Sequence, residues 1–178
     1  AEMSWENIIS LQGEMSMNIT VLCKVVDNFG DIGVVYRLVR QLRVIRPEAK
    51  IHVVIDDLVA FNKLNDSVLT DQKMQVIDGY EVYDWKCYEF CYEKFRENDG
   101  EKLSVILECF QCGRPEWMEK ILFEDKLNRI VNVIMIDYLT AEAYAEDFHC
   151  LNSLTRSAKV KKVNFMFNED VFLYLLNV

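Results

Sequence analysis

Four short, almost continuous apolar runs recur along this chain, and each one leads into a turn that contains acidic or small residues. The runs cover residues 19–26, 51–55, 103–107 and 130–136. A strand that is buried on both faces, as in a parallel sheet, is apolar throughout, whereas a strand with one solvated face alternates apolar and polar residues. The runs therefore predict a parallel sheet that is covered by helices on both sides.

The segments between the runs have helical patterns. Val35, Leu38 and Leu42 recur at helical spacing within residues 34–45, and Pro47 lies just past that helix. Because this helix joins the first two runs, we expect a right-handed βαβ unit. The predicted fold class is α/β, with a parallel sheet and flanking helices. The remaining predicted elements are a short strand over 74–77, a helix or aromatic packing segment over 82–96, a turn at 98–101, a helix over 116–123 that starts at Pro115, and a short helix capped by Thr140.

Composition and charge restrict the function classes. The chain has 178 residues, with 20 Lys and Arg against 29 Asp and Glu, which gives a formal net charge of −9. This length fits one domain with an apolar core, and the acidic balance argues against binding to nucleic acid, whose phosphates require clustered basic residues. No apolar run approaches the roughly 20 residues of a membrane span. We expect a cytoplasmic domain over residues 17–167, preceded by a leader or expression remnant over 1–16 and followed by a tail over 168–178.

Six cysteines raise the question of disulfides or a metal. They are Cys23, Cys87, Cys91, Cys109, Cys112 and Cys150. The first residues lack the basic and apolar regions of a secretory signal, so we expect reduced thiols. The pairs Cys87–Cys91 and Cys109–Cys112 have spacings that a four-thiolate zinc site could use, but the first pair lies in an aromatic segment that is typical of packing. Buried free cysteines are favoured, and we expect no metal site.

Acidic residues follow the predicted strands at the edge where open parallel sheets bind ligands. Asp27 and Asp31 lie on either side of Gly30 in the turn over residues 27–33, and Glu108 follows the third run. Two carboxylates in one turn suit a cationic ligand and would repel a pyrophosphate, and the turn lacks the Gly-x-Gly-x-x-Gly pattern of a dinucleotide site. Structural roles are the alternatives, because Asp31 can cap the following helix and Asp27 can accept hydrogen bonds within the turn.

The two histidines do not indicate a second site. His52 lies within the second run, where we expect it to pack or to face solvent. His149 adjoins Cys150 without a third partner, so a Cys–His nucleophile is not indicated.

Four longer sequence motifs follow one another along the chain. The first is Cys-Lys-Val-Val-Asp-Asn-Phe-Gly-Asp-Ile-Gly-Val over residues 23–34. The others are Val-Ile-Asp-Asp-Leu over 54–58, Ile-Leu-Glu-Cys-Phe-Gln-Cys over 106–112, and Ile-Asp-Tyr-Leu-Thr-Ala-Glu over 136–142. Together they resemble the bacterial elongation factor P arginine rhamnosyltransferases, and the resemblance extends over about residues 18–167.

The resemblance implies an inverting glycosyltransferase of the GT-B type, which has two Rossmann-like domains. Such an enzyme moves rhamnose from dTDP-β-L-rhamnose to an arginine of elongation factor P, with no further cofactor. This chain would be the N-terminal, acceptor-binding half with the donor domain absent, so we expect it to be inactive on its own. The alternatives are a non-catalytic acceptor-binding module and a nucleotide-binding oxidoreductase domain.

The resemblance also assigns site residues. Asp31 matches the catalytic general base, and Asp27 matches the second essential aspartate of the same loop. The residues assigned to substrate binding are Asn28, Phe29, Gly30, Gly33 and Glu108. These roles are chemically consistent, because a guanidinium has a pKa above about 12 and is not easily deprotonated. Two carboxylates can orient it by charge-assisted hydrogen bonds and take its proton as the new C–N bond forms.

Overall fold

A computed structural model describes residues 17–25, 29–137, 152–153 and 155–166. In chain order the elements are β1 (Asn18–Cys23), α1 (Phe29–Ile45), β2 (Lys50–Ile55), α2 (Leu58–Asn62), β3 (Met74–Ile77), β4 (Tyr80–Asp84), α3 (Tyr88–Gly100), a 3-10 turn (Glu101–Leu103), β5 (Val105–Cys109), α4 (Glu116–Phe123), β6 (Val131–Asp137), β7 (Asn152–Ser153) and β8 (Val160–Met166). The strands of this described part form one sheet in the order β3-β4-β2-β1-β5-β6-β8-β7.

The centre of the sheet is parallel, as the apolar runs predict. Five pairs of neighbouring strands are parallel: β4-β2, β2-β1, β1-β5, β5-β6 and β6-β8. Within them, β1-α1-β2 is the expected βαβ unit. The two outermost strands, β3 and β7, are instead antiparallel to their neighbours. The predicted parallel sheet is therefore confirmed in its centre, and the two edge strands depart from it. Asp78 and Gly79, with φ of 47° and 82°, join β3 to β4 as a two-residue hairpin, and a loop this short can join only antiparallel strands.

Apolar side chains on both faces of the sheet form two cores. On one face, Ile19, Val21 and Cys23 of β1 pack with residues of α1 and α2, and we call this the α1 face. On the other face, Leu22 of β1 and Ile106 of β5 pack with residues of α3 and α4, and we call this the α4 face. The described chain is therefore a three-layer α/β structure, in which neighbouring residues of each strand project to opposite faces.

The helix after β1 begins earlier than its pattern predicts. It starts at Phe29, so Gly30, Asp31 and Gly33 lie in its first turns and not in a loop. Ile32 and Val35 are both buried on the α1 face, and their burial extends the apolar stripe of the helix towards β1. The turn predicted over residues 27–33 therefore ends before Phe29, where α1 begins. Residues 26–28 lie outside the described part of the chain.

The aromatic segment that follows β3 contains a strand as well as a helix. Residues 82–84 belong to β4, and α3 begins only at Tyr88. At the end of α3, Glu97 has an extended backbone and Asn98 and Asp99 have positive φ, in agreement with the turn predicted at 98–101. The helix predicted at Thr140 lies outside the described residues. Among the helices that are described, none is long and apolar enough to cross a membrane.

Candidate active site

The first turn of α1 and the carboxyl ends of β1 and β5 form the candidate site. β1 and β5 are adjacent and parallel, with Leu22 opposite Glu108, so both strands end at the same edge of the sheet. α1 begins just beyond β1 and carries Asp31 to this edge. Asp27 and Asn28 lie outside the described residues, as does the side chain of Phe29. Their assignment to the site therefore stays a prediction.

Asp31 is a buried carboxylate on the α1 face. Its residue is only 5% exposed, and it is the one acidic residue in the first turn of α1. The free N–H groups and the dipole of a helix N-terminus favour a negative charge at such a position. Asp31 therefore combines shielding from water with the favourable electrostatic environment of the helix start.

Gly30 and Gly33 leave open space beside Asp31. Apart from its chain neighbours and the backbone of α1 itself, no atom of the described residues lies within 4 Å of a Cβ atom placed on either glycine, and Gly30 is exposed. Neither glycine has a positive φ, so neither is needed for a tight turn. Because neither glycine carries a side chain, a ligand can approach the backbone of the first turns of α1 closely.

Two thiols lie on the same face as Asp31. Cys23 is the last residue of β1, Cys109 is the last residue of β5, and both are buried in the α1-face core. Burial raises the pKa of each thiol, and the charge of Asp31 raises it further. Both groups therefore stay neutral at physiological pH, so the core on the face of Asp31 contains uncharged, polarisable thiols. Sequence reasoning identified them as buried, and their alternation with Ile19 and Val21 was the available sign that Cys23 faces α1.

The segment that follows β5 has an unusual backbone. Phe110, Gln111 and Gly113 have φ values of 57°, 54° and 72°. Residues other than glycine rarely adopt positive φ, and such strain is concentrated at functional sites. Gln111 is held by its side-chain amide, which donates a hydrogen bond of 2.9 Å to Oδ2 of Asp137 at the end of β6. Sequence reasoning missed this feature, because neither Phe nor Gln is a typical residue for that conformation.

Cys112 links this segment to β1. Its sulfur lies 3.6 Å from the carbonyl oxygen of Leu22 and 3.2 Å from that of Gly113. Burial and then the charge of Glu108 raise the pKa of the thiol to about 12, although the backbone N–H of Lys24 donates to it. Cys112 is therefore a structural contact and a poor nucleophile.

Glu108 lies on the opposite face of the sheet from Asp31. It alternates with Cys109, and its carboxylate is directed towards α4, where Nη1 of Arg114 lies 2.7 Å from its Oε2. Arg114 also donates from Nε to Oε1 of Glu119 at 2.9 Å. The structure therefore brings Asp31 together with the thiols and not with Glu108. Direct contact between Glu108 and a substrate stays a prediction.

The four cysteines that could hold zinc do not lie on one face of the sheet, because Cys87, Cys91 and Cys112 pack with the α4-face core and Cys109 does not. Cys91 is buried on the α4 face and donates from its sulfur to the carbonyl oxygen of Asp84, whereas Cys109 is buried on the α1 face. One tetrahedral site cannot reach thiolates on both sides of a sheet. No group of three or more potential metal ligands occurs within the described part of the chain.

His52 has a structural role at the other end of the strands. The residue is 3% exposed, with Nδ1 in contact with Glu81 and Nε2 2.9 Å from Oδ1 of Asn18, the first residue of β1. His52 therefore lies at the amino ends of the strands, away from Asp31. His149 and Cys150 lie outside the described residues.

Comparison with known proteins identifies a matching family and three relatives. Residues 19–169 match the family model described as elongation factor P (EF-P) rhamnosyltransferase EarP. A protein-arginine rhamnosyltransferase of Pseudomonas aeruginosa is 31% identical over 134 residues, which are 75% of this chain and 33% of that protein. The enzymes of the same name from Pseudomonas putida and Shewanella oneidensis are 30% and 27% identical, over 75% and 80% of this chain and 32% and 34% of their own lengths. The chain thus spans about a third of the length of these relatives.

Proposed function

This chain belongs to the elongation factor P rhamnosyltransferase family EarP, and we propose that it is the acceptor-binding, N-terminal part of an enzyme that transfers rhamnose to an arginine of elongation factor P. The proposed donor is dTDP-β-L-rhamnose, held by a second Rossmann-like domain in a GT-B arrangement. The enzyme is proposed to act in the cytoplasm, with neither nucleic acid nor membrane as a partner.

The position of Asp31 supports this proposal most directly. A guanidinium that approaches over Gly30 and Gly33 would meet a carboxylate that is shielded from water and stabilised by the start of α1. Charge-assisted hydrogen bonds between carboxylate and guanidinium are strong and directional, and they gain strength where water is excluded. We propose that Asp27 holds the guanidinium from a second side, and that Asn28, Phe29 and the two glycines shape the surrounding surface.

In the proposed reaction, a guanidinium nitrogen attacks the anomeric carbon of rhamnose. The C–N bond forms as the bond from that carbon to the phosphate oxygen breaks, and the bonding electrons leave with dTDP. The carboxylate of Asp31 takes the proton that the attacking nitrogen loses and then passes it to water, so the product guanidinium keeps its positive charge. Attack opposite the leaving group inverts the configuration at carbon, and no metal is needed for this scheme.

Family membership favours a transferase over the nucleotide-binding oxidoreductase that the βαβ unit also allowed. The proposed role of Asp31 as the general base distinguishes this proposal from the alternative of a non-catalytic acceptor-binding module. Because this chain spans about a third of its relatives, the donor site is proposed to lie in the remaining part. The chain alone should then bind elongation factor P weakly and should not bind dTDP-rhamnose tightly.

Two measurements test the proposal. The chain, joined to the remaining part of its Pseudomonas aeruginosa relative, is incubated with elongation factor P and dTDP-rhamnose, and mass spectrometry is expected to detect one added deoxyhexose. An acceptor whose target arginine is replaced by lysine is the control and should stay unmodified. Calorimetric titration of the chain alone with each ligand should detect only the acceptor. Micromolar binding of dTDP-rhamnose to the chain alone would contradict the assignment of the donor to another domain.

A further inference from the structure

A cavity lies beside α4, on the α4 face of the sheet. Its volume is about 330 Å³, and it is lined by Arg114, Glu119, Phe123, Thr155, Arg156 and Lys162. Lys162 is paired in register with Val133, which is buried on the α4 face, so Lys162 projects to that face beside α4. We call this cavity the cationic cavity. It lies on the opposite face of the sheet from Asp31, and Glu108 at the end of β5 contacts it only through Arg114.

Three positive side chains line the cationic cavity, and the nearby carboxylates balance only two of them. Oε1 of Glu119 lies 2.9 Å from Nη2 of Arg114, and its Oε2 lies 3.1 Å from Nη2 of Arg156. Glu108 is paired with Nη1 of Arg114 behind the cavity wall. Within the described part of the chain, no carboxylate lies within ion-pair distance of Lys162. Counted over the residues that the structure describes, the lining of the cavity therefore has an excess positive charge in a chain whose net charge is −9.

The two arginines are held in place and keep unused donors. The ring of Phe123 lies 4.4 Å from the guanidinium carbon of Arg156 and 6.0 Å from that of Arg114. Glu119 binds both guanidinium groups, so their orientation is fixed before any ligand enters. A guanidinium has five N–H groups, and Arg156 directs only one of them to Glu119. The side chain of Arg156 is 72% exposed, which leaves its other N–H groups accessible.

We propose that the cationic cavity is a binding site for a phosphate group, either free phosphate or the phosphate of a small metabolite. Arg114, Arg156 and Lys162 come from three separate segments and can donate to three different oxygens of one phosphate. A carboxylate has two oxygens and would leave one cation without a partner. The volume exceeds that of a phosphate ion and falls within the range of small-molecule sites, so a phosphate ester also fits.

The test is an NMR titration of the chain with inorganic phosphate at constant ionic strength, observing the Nε–H signals of the arginines. Saturable shifts are expected for Arg114 and Arg156, with a dissociation constant on the order of 1 mM. Arg156→Gln and Lys162→Gln should each weaken binding about tenfold, because each removes one charged donor. Arg37→Gln, on the exposed surface of α1, is the matched control and should leave the dissociation constant unchanged.

Two further titrants define the ligand class. Acetate should bind more weakly than phosphate, and equal binding of acetate would overturn the assignment to phosphate. Titration with glucose 1-phosphate distinguishes a phosphorylated metabolite from free phosphate as the ligand. Tighter binding of glucose 1-phosphate than of phosphate indicates a phosphorylated metabolite, whereas no binding of glucose 1-phosphate indicates the free ion. Both results support a phosphate site. The absence of saturable shifts up to about 50 mM phosphate would refute the proposal. Because no rhamnosyl donor or acceptor is used, the outcome is independent of the proposed enzyme activity.

Discussion

Arg114 and Glu108 form an ion pair that is shielded from solvent, with Nη1 of Arg114 2.7 Å from Oε2 of Glu108. The two side chains are 14% and 5% exposed. Arg114 also binds Glu119 in α4, so it connects the carboxyl end of β5 to the helix that covers the α4 face. This contact holds the chain immediately after the strained segment at 110–113.

Replacing Arg114 by methionine should destabilise the fold by about 3 kcal/mol, because Glu108 would be left buried without its partner. The free energy of unfolding is measured by urea denaturation. The control is Arg46→Met, since Arg46 and Glu48 form an ion pair at 3.4 Å whose side chains are 31% and 54% exposed. Exposed pairs of this kind contribute about 1 kcal/mol or less. Equal losses in the two variants would show that burial does not strengthen the Glu108–Arg114 pair.

Glu81 should make the stability of the fold depend on pH. A hydrogen bond with His52 lowers the pKa of the Glu81 carboxyl below its ordinary value of 4.5, and burial opposes this only in part. Because the folded pKa is below the unfolded pKa, the unfolded state binds more protons in this range. The stabilisation is therefore complete above pH 4.5 and is lost as the pH falls through the folded pKa.

The variant Glu81→Gln tests this dependence. The difference in unfolding free energy between the parent protein and Glu81→Gln should be largest near pH 6 and should narrow towards about pH 3, as followed by urea denaturation. Glu93→Gln is the control, because the Glu93 side chain is 67% exposed and lies 3.7 Å from Arg96 on the surface of α3. A difference for Glu81→Gln that is constant with pH would contradict the prediction.

The central part of the fold could be predicted from sequence because a strand that is buried on both faces is apolar along its whole length. β2 and β6 occur where their apolar runs predict them, within one residue at each end. The edge strands could not be predicted in the same way. β3 has one neighbour and two exposed or half-buried faces over most of its length, so its direction depends on the hairpin at Asp78 and Gly79 and not on an apolar pattern.

The geometry of the candidate site could be predicted from the sequence only in part. The position of Asp31 near the start of a helix could be predicted from spacing, although Gly30 and Gly33 suggested a turn because glycine is a poor helix former. The separation of Asp31 from Glu108 depends on which residues of β5 face α1, and a fully apolar strand does not reveal its faces. The pairing of Glu108 with Arg114 likewise requires the path of the strained segment, which no local motif indicates.

The cysteines should react slowly with alkylating reagents in the folded protein. Burial raises the pKa of Cys91 and Cys112 to about 12, and that of Cys23 and Cys109 is also raised mainly by burial. A thiol with a pKa of about 12 in place of 9.0 has about a thousandfold less thiolate at neutral pH. Iodoacetamide labelling followed by mass spectrometry should modify these four residues only after denaturation.

Cys87 provides the internal comparison for this labelling. It is half-buried at the start of α3, and its pKa is raised by burial and by Asp84. Of the cysteines that the structure describes, it should therefore be the first to react.

Elemental analysis of protein purified without added metal should find less than one zinc per chain. A zinc ion bound in equal amount and released only on unfolding would contradict both the position of Cys109 on the opposite face of the sheet from Cys91 and the expected labelling.

Asp31→Asn should abolish rhamnosyl transfer in the chain joined to the remaining part of a relative. The amide cannot take the proton from the attacking nitrogen, and loss of a general base typically lowers the rate by about 10²–10⁴-fold. Transfer is measured as the deoxyhexose added to elongation factor P per unit time, and urea denaturation checks the fold. Asp57→Asn is the matched control, because Asp57 caps α2 by accepting a hydrogen bond of 2.9 Å from the N–H of Ala60. Asparagine caps a helix equally well, so this variant should keep its activity. Normal transfer by Asp31→Asn would leave Asp31 with only a structural role at the start of α1.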